Sequence, residues 1–80
     1  AAISIVSNIA EGFSRNSFKE KIQFYTTALG SLSETQAQLL VARDLKYVSA
    51  ADFDMLAAQS VSVSTLLHGL TKKTRSLVPR

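Results

Sequence analysis

The sequence has 80 residues, enough for one small domain, and a chain of this length buries too little surface to be more than marginally stable without help. With no cysteine the chain cannot form a disulfide, and with one histidine it is not expected to bind structural zinc, so we predict no cofactor. We expect self-association to supply the additional stability. The net charge of +3 permits an anionic partner without requiring one. No apolar run approaches the roughly 20 residues that span a bilayer, so we predict a cytoplasmic protein without a membrane partner.

The first predicted element is the end of a helix, residues 1–12. Ile3, Val6 and Ala10 recur at helical spacing, with Ile5 and Ile9 beside them. The apolar start has no N-cap residue, which suggests a helix that begins upstream. Gly12 stands where the C-terminus of a helix often takes a left-handed residue, so we expect the helix to end there.

A long helix is predicted for residues 17–46. Ser17 and Glu20 form a capping-box pattern at its start. Its apolar positions follow steps of three and four residues; they are Ile22, Tyr25, Leu29, Leu32, Gln36 and Leu39. With flanking apolar residues the arc covers roughly 160°, wider than the ~100° of an ordinary surface helix, so we expect this helix to pack on more than one neighbour.

A second long helix is predicted for residues 49–78. Ser49 and Asp52 form a weaker capping pattern, and Pro79 ends the segment. Its core positions are Phe53, Leu56, Ser60, Val63, Leu67, Leu70, Thr74 and Leu77. Because short connections make neighbouring helices antiparallel, we predict an all-α, antiparallel up-down bundle in one domain, residues 1–80.

Four stretches occur in order with helix-and-loop spacing: "SNIAEGFSR", "ALGSLSETQAQLLVARDL", "KYVS" and "LLHGL". From Ala1 to about Leu77 the chain thereby resembles the four-helix-bundle proteins encoded in intervening sequences of bacterial large-subunit ribosomal RNA genes. That family also includes accessory proteins of diversity-generating retroelements. The resemblance implies a bundle that commonly assembles as a ring of five and has no established catalytic activity.

The chain departs from the family pattern in several places. The pattern favours apolar residues and threonine where Thr35 and Ala37 stand, and it usually has glycine at the position of Lys46. Family members also carry a first helix and the start of a second before the point where this sequence begins, so the first helix of the bundle is expected to be absent here. In retroelement members, the resemblance implies contact with nucleic acid and a reverse transcriptase.

A polar strip interrupts the apolar pattern of both of the first two helices. Its members are Asn8, Glu11, Arg15, Ser31, Glu34 and Gln38. A carboxylate pair could perform acid–base chemistry, but no histidine or glycine-rich loop accompanies it, so we predict no enzymatic activity and no metal site. We interpret the strip as a structural network that fixes the register of helix packing, since buried polar groups need partners.

Gly30 lies inside the predicted long helix, where glycine costs about 1 kcal/mol relative to alanine. Either it admits a close neighbour, from the same chain or another, or it is a tolerated surface glycine, since it lies opposite the main apolar arc.

The best candidate for an anionic ligand is a basic face on the last helix. His68, Lys72 and Arg75 share this face with Lys73 beside them, and no acidic residue follows Asp54. The plain alternative is a solvated helix end, where cations interact favourably with the helix dipole. If the face binds nucleic acid, its contacts should go to phosphates rather than to base edges.

A second basic group, formed by Arg15, Lys19 and Lys21, is offset by Glu20 and is a weaker candidate. We find no aromatic residues interleaved with either basic group, so base stacking is not expected.

We therefore predict a non-enzymatic, oligomeric helical scaffold of the ribosomal-RNA intervening-sequence type, with nucleic acid bound at the basic face. Its partners would be further copies of the chain, RNA or DNA, and a reverse transcriptase as in retroelement members. The alternative is a structural or protein–protein interaction module that never contacts nucleic acid.

Overall fold

Residues 2–79 are described by a computed structural model, and within that range they form three α-helices and no strand. Helix α1 spans Ala2–Ser14, α2 spans Phe18–Asp44 and α3 spans Ala50–Ser76. The body measures 48 × 18 × 15 Å because the two long helices lie side by side. The predicted all-helical class is confirmed.

Both long helices begin at the serines that the capping patterns indicate. The hydroxyl of Ser17 accepts a hydrogen bond from the backbone N–H of Glu20 at 3.4 Å, and that of Ser49 accepts one from Asp52 at 3.1 Å. Each serine satisfies a backbone donor that the first turn of a helix leaves without a partner. The two predicted N-caps are confirmed.

Helix α1 ends later than predicted, and Gly12 has a different role from the one expected. The expectation that Gly12 ends it in a left-handed conformation is wrong, since no glycine between residues 2 and 79 has a positive φ and the helix continues to Ser14. Gly12 is instead buried against α2, where an added Cβ would lie 2.5 Å from Cε1 of Tyr25. Glycine is used here for close helix–helix approach.

The left-handed residue occurs at the end of α2. Lys46 has φ 61°, and the backbone N–H groups of Lys46 and Tyr47 donate to the carbonyls of Arg43 and Ala42. This pair of hydrogen bonds is the Schellman motif, which satisfies carbonyls at a helix C-terminus and favours glycine at its left-handed position. The geometry therefore gives a physical reason for a glycine at position 46.

The core forms where α1 and α3 both pack on α2, so the prediction that α2 contacts more than one neighbour is confirmed. The buried apolar side chains are Ile5, Tyr25, Ala28, Leu32 and Leu67, with Ile9, Leu29, Val63 and Leu70 packed around them. Burial raises the pKa of the phenol of Tyr25, so its ring packs in the uncharged form.

Helix α1 is apolar on two opposite faces. Ile5, Ile9 and Gly12 face α2, whereas Ile3 and Val6 are 82% and 66% exposed. The stripe that begins at Ile3 therefore does not form the contact with α2. No helix between residues 2 and 79 is both long enough and apolar enough to cross a membrane.

Gly12→Ala should destabilise the fold by about 1–3 kcal/mol, the usual cost of overpacking a closed contact. Because the ring of Tyr25 is buried and would lie 2.5 Å from the added Cβ, either the ring or α1 would have to shift. Urea denaturation followed by circular dichroism measures the difference in the free energy of unfolding.

The two remaining glycines supply the matched control. Gly30 and Gly69 also lie within helices, but a Cβ on either would meet nothing within 4 Å. Gly30→Ala and Gly69→Ala should therefore raise the free energy of unfolding by roughly 0.5–1 kcal/mol. Equal effects at all three positions would contradict the close-approach role of Gly12, and loss of assembly in Gly30→Ala alone would indicate a neighbouring copy at Gly30.

Lys46→Gly should stabilise the chain by roughly 0.5–1 kcal/mol, because glycine adopts the left-handed conformation without the steric cost of a Cβ. Lys46→Ala removes the charge but keeps the Cβ, so it should give no such gain. Thermal denaturation of the two variants in parallel separates the backbone effect from the charge effect.

Candidate nucleic-acid interface

The predicted polar strips are linked mainly within helices. The amide of Asn8 donates to the carbonyl of Ser4 at 2.7 Å, and the hydroxyls of Ser4 and Ser31 lie 3.1 Å apart, joining α1 to α2. Glu34 and Gln38 are exposed, and among residues 2–79 neither forms a side-chain hydrogen bond. The role of the strip in fixing register stays a prediction.

The polar link between α2 and α3 comes from two residues that sequence reasoning placed in the apolar stripes. The amide of Gln36 donates to the hydroxyl of Ser60 at 3.1 Å, and that hydroxyl donates to the carbonyl of Ala57 at 2.8 Å. Polar residues at otherwise apolar positions of two helices were the available signal for this pair.

A cleft of about 220 Å³ opens beside this link. It is lined by Leu32, Thr35, Gln36, Leu39, Leu56, Gln59, Ser60 and Val63. The lining contains no ionisable side chain, so the cleft offers an apolar contact surface and no acid–base pair. Between residues 2 and 79 no cluster of histidine and carboxylate side chains is arranged to hold a metal ion.

The basic face of α3 consists of His68, Lys72, Lys73 and Arg75, all of them exposed. No ion pair neutralises these side chains within the described part of the chain. On the opposite side of the same turns, Thr71 and Thr74 are buried and donate to carbonyls one turn earlier. The end of α3 thus packs along one side and presents cations along the other.

A second surface lies where α1 turns into α2. We call it the turn surface and define it by Phe13, Arg15, Phe18 and Lys19. The two rings are 58% and 38% exposed on either side of a three-residue connection, contrary to the expectation that no aromatic side chain accompanies these cations. The sequence signal for this surface is the stretch "FSRNSFK", in which two phenylalanines stand on either side of the arginine and a lysine follows.

Lys21 belongs to the support of this turn rather than to its exposed surface. Its ammonium donates to the carbonyls of Gly12 and Phe13, each at 3.0 Å. A cation at these carbonyls satisfies the C-terminus of α1 and compensates its dipole.

The turn surface and the basic face of α3 lie toward the same end of the molecule. Gln36 pairs with Ser60, whereas Tyr25, nearer the start of α2, shares the core with Leu67 and Leu70, nearer the end of α3. Residues nearer the start of α2 therefore lie beside residues nearer the end of α3. The two basic groups, far apart in sequence, therefore lie toward one end of the molecule, together with Glu11 and Glu20.

A family model described as 23S rRNA-intervening sequence protein matches residues 1–69. The match includes the turn surface and stops before Lys72. Neither a curated protein nor a solved structure matches the chain. Because the match covers most of the sequence, the chain belongs to the 23S rRNA-intervening sequence protein family.

Proposed function

We propose that this family member is a non-enzymatic helical scaffold that assembles with further copies of itself and binds RNA or DNA through the basic face of α3. The observation that carries the nucleic-acid part is the cluster of exposed cations without acidic partners on α3. Such a face suits the phosphate backbone, which supplies most sequence-independent affinity. We place the protein in the cytoplasm.

The support for assembly is the second apolar face of α1. Exposed apolar positions on a helix commonly mark an interaction surface, and Ile3 and Val6 face solvent in the single chain. Large apolar side chains on the long helices are also 46% to 60% exposed; they include Leu40, Val41, Val61 and Leu66. Further copies of the chain would cover this surface, and the family resemblance favours a ring of five.

We further propose an antiparallel arrangement of the four-helix-bundle type. Along α1 and α2, Ser4 lies by Ser31 and Gly12 lies by Tyr25, so positions on one helix rise as those on the other fall. The same order holds between α2 and α3. A reverse transcriptase as partner rests on the resemblance alone.

Assembly would also strengthen nucleic-acid binding. Each copy contributes one basic face, and several weak sites on one oligomer act together on a single strand through their high effective concentration. The net charge of +3 on one chain is then sufficient for an oligomer to bind a nucleic-acid strand.

The alternative function is a protein-interaction module without nucleic-acid contact. The apolar cleft between α2 and α3 favours it, because an exposed apolar groove commonly binds another helix. The basic end of α3 would then be a solvated helix terminus.

Sedimentation equilibrium at micromolar concentration should show a homo-oligomer, because the exposed apolar faces lower their free energy by association. Replacing Ile3 and Val6 by serine should shift the chain toward monomer while far-ultraviolet circular dichroism stays helical. A natural chain that sediments as a monomer would contradict the scaffold proposal.

Lys72→Gln with Arg75→Gln should weaken binding to all nucleic-acid sequences alike. For a single strand, the slope of log affinity against log salt should become shallower by about 1.4, since each phosphate contact contributes roughly 0.7. Fluorescence anisotropy with labelled RNA and DNA at several salt concentrations measures both quantities.

Arg43→Gln with Lys46→Gln is the matched control, since it removes the same charge from the turn between α2 and α3. This variant should keep the affinity and the salt slope of the natural chain. Binding that is equally weakened by both pairs would point to net charge alone, and binding untouched by the first pair would remove α3 as the site.

A further inference from the structure

We propose that the turn surface is a stacking site for the unpaired bases of single-stranded RNA, with Arg15 and Phe18 as the stacking groups and Lys19 as a phosphate contact. The inference rests on the proposed nucleic-acid function and adds a second, chemically different site to it. Unpaired bases are commonly recognised by stacking on aromatic rings and on arginine guanidinium planes.

The side chain of Arg15 is held in place by two contacts. Its guanidinium lies 4.9 Å from the centroid of the Phe24 ring, and one of its nitrogens is 2.9 Å from a carboxylate oxygen of Glu11. With both contacts made, the side chain remains 42% exposed. A base that stacks on the exposed part of the guanidinium would not have to order a mobile arginine first.

The aromatic rings of the turn are accessible, and a ring contact holds one of them in place. Phe13 packs edge-on against Tyr25, with ring centroids 5.9 Å apart and planes at 72°, yet it is more than half exposed. Phe18 is the first residue of α2, next to Lys19. A ring beside a cation combines base stacking with a phosphate contact, the pairing used by proteins that bind single strands.

The turn between α2 and α3 has similar stacking groups but a different balance of charged residues. Arg43 lies 4.8 Å from the centroid of the Phe53 ring, and Tyr47 beside it is 79% exposed, so the same stacking elements are present. That turn carries three acidic residues, Asp44, Asp52 and Asp54, against two basic ones, Arg43 and Lys46. Around the turn surface, the basic residues Arg15, Lys19 and Lys21 outnumber the acidic Glu11 and Glu20, and the basic face of α3 lies at the same end of the molecule. A polyanion is therefore attracted more strongly to this end than to the opposite one.

The local structure favours an RNA strand over a membrane surface. Membrane-surface binding relies on a continuous apolar helix face that sinks into the acyl boundary. Here the two rings are separated by the polar residues Ser14, Asn16 and Ser17 and flank an oriented guanidinium. Separate flat surfaces of this kind suit individual bases.

The test compares Arg15→Lys and Phe18→Leu with the corresponding changes at the other turn, Arg43→Lys and Tyr47→Leu. Binding of an unstructured RNA strand and of a duplex RNA of equal length is measured by fluorescence anisotropy. Each turn-surface variant should weaken single-strand binding about fivefold or more, since base–aromatic stacking is worth at least that factor. The controls should bind as the natural chain does. Arg15→Lys keeps the charge, so the salt slope should not change.

The outcomes separate this inference from the function on which it rests. If the natural chain binds the strand, and only the substitutions at Lys72 and Arg75 weaken binding, the stacking site is wrong and the proposed function stands. If the natural chain binds no RNA at low salt, both are wrong. Binding to phosphatidylserine vesicles that Phe18→Leu abolishes, without RNA binding, would assign the turn surface to a membrane and overturn the inference.

Discussion

The approach of α1 to α2 at Gly12 determines the geometry of everything around the first turn. Because this residue has no Cβ, the ring of Tyr25 occupies space that any other side chain would need. The two helices can then be joined by only three residues, and Lys21 reaches back to the last carbonyls of α1. That short connection places Phe13 and Arg15 beside the start of α2, so a packing contact in the core sets the shape of a surface site.

The helical class and the starts of the long helices were predictable from sequence because they depend on local chemistry. Ser17 and Ser49 cap helices through their own side chains, and the three-to-four spacing of apolar residues needs no knowledge of the partner. The end of α1 was not predictable in this way. A glycine near a helix end is compatible with a left-handed cap and with a close helix contact, and only the position of Tyr25 in space distinguishes them.

The candidate site was partly predictable for the same reason. The basic face of α3 follows from residues within two turns of one helix, whereas its association with the turn surface depends on how α2 and α3 pack. Arg15 and Glu11 share a polar strip in sequence, but the ring of Phe24 behind the guanidinium belongs to another helix. A side chain oriented by two different elements is visible only after folding.

Both turns of this chain contain an arginine over an aromatic ring, but the charged residues around the two turns differ in net sign. In each, an arginine guanidinium lies over an aromatic ring and is paired with a nearby carboxylate, an arrangement that stabilises the connection between two helices whatever else it does. The stacking itself therefore cannot be taken as a sign of binding, because it occurs equally at the acidic end. What distinguishes the turn surface is that the basic residues around it outnumber the acidic ones and that it lies at the same end of the molecule as the basic face of α3. Function at this end would then have arisen from the charge distribution around a structural motif, with no change to the motif itself.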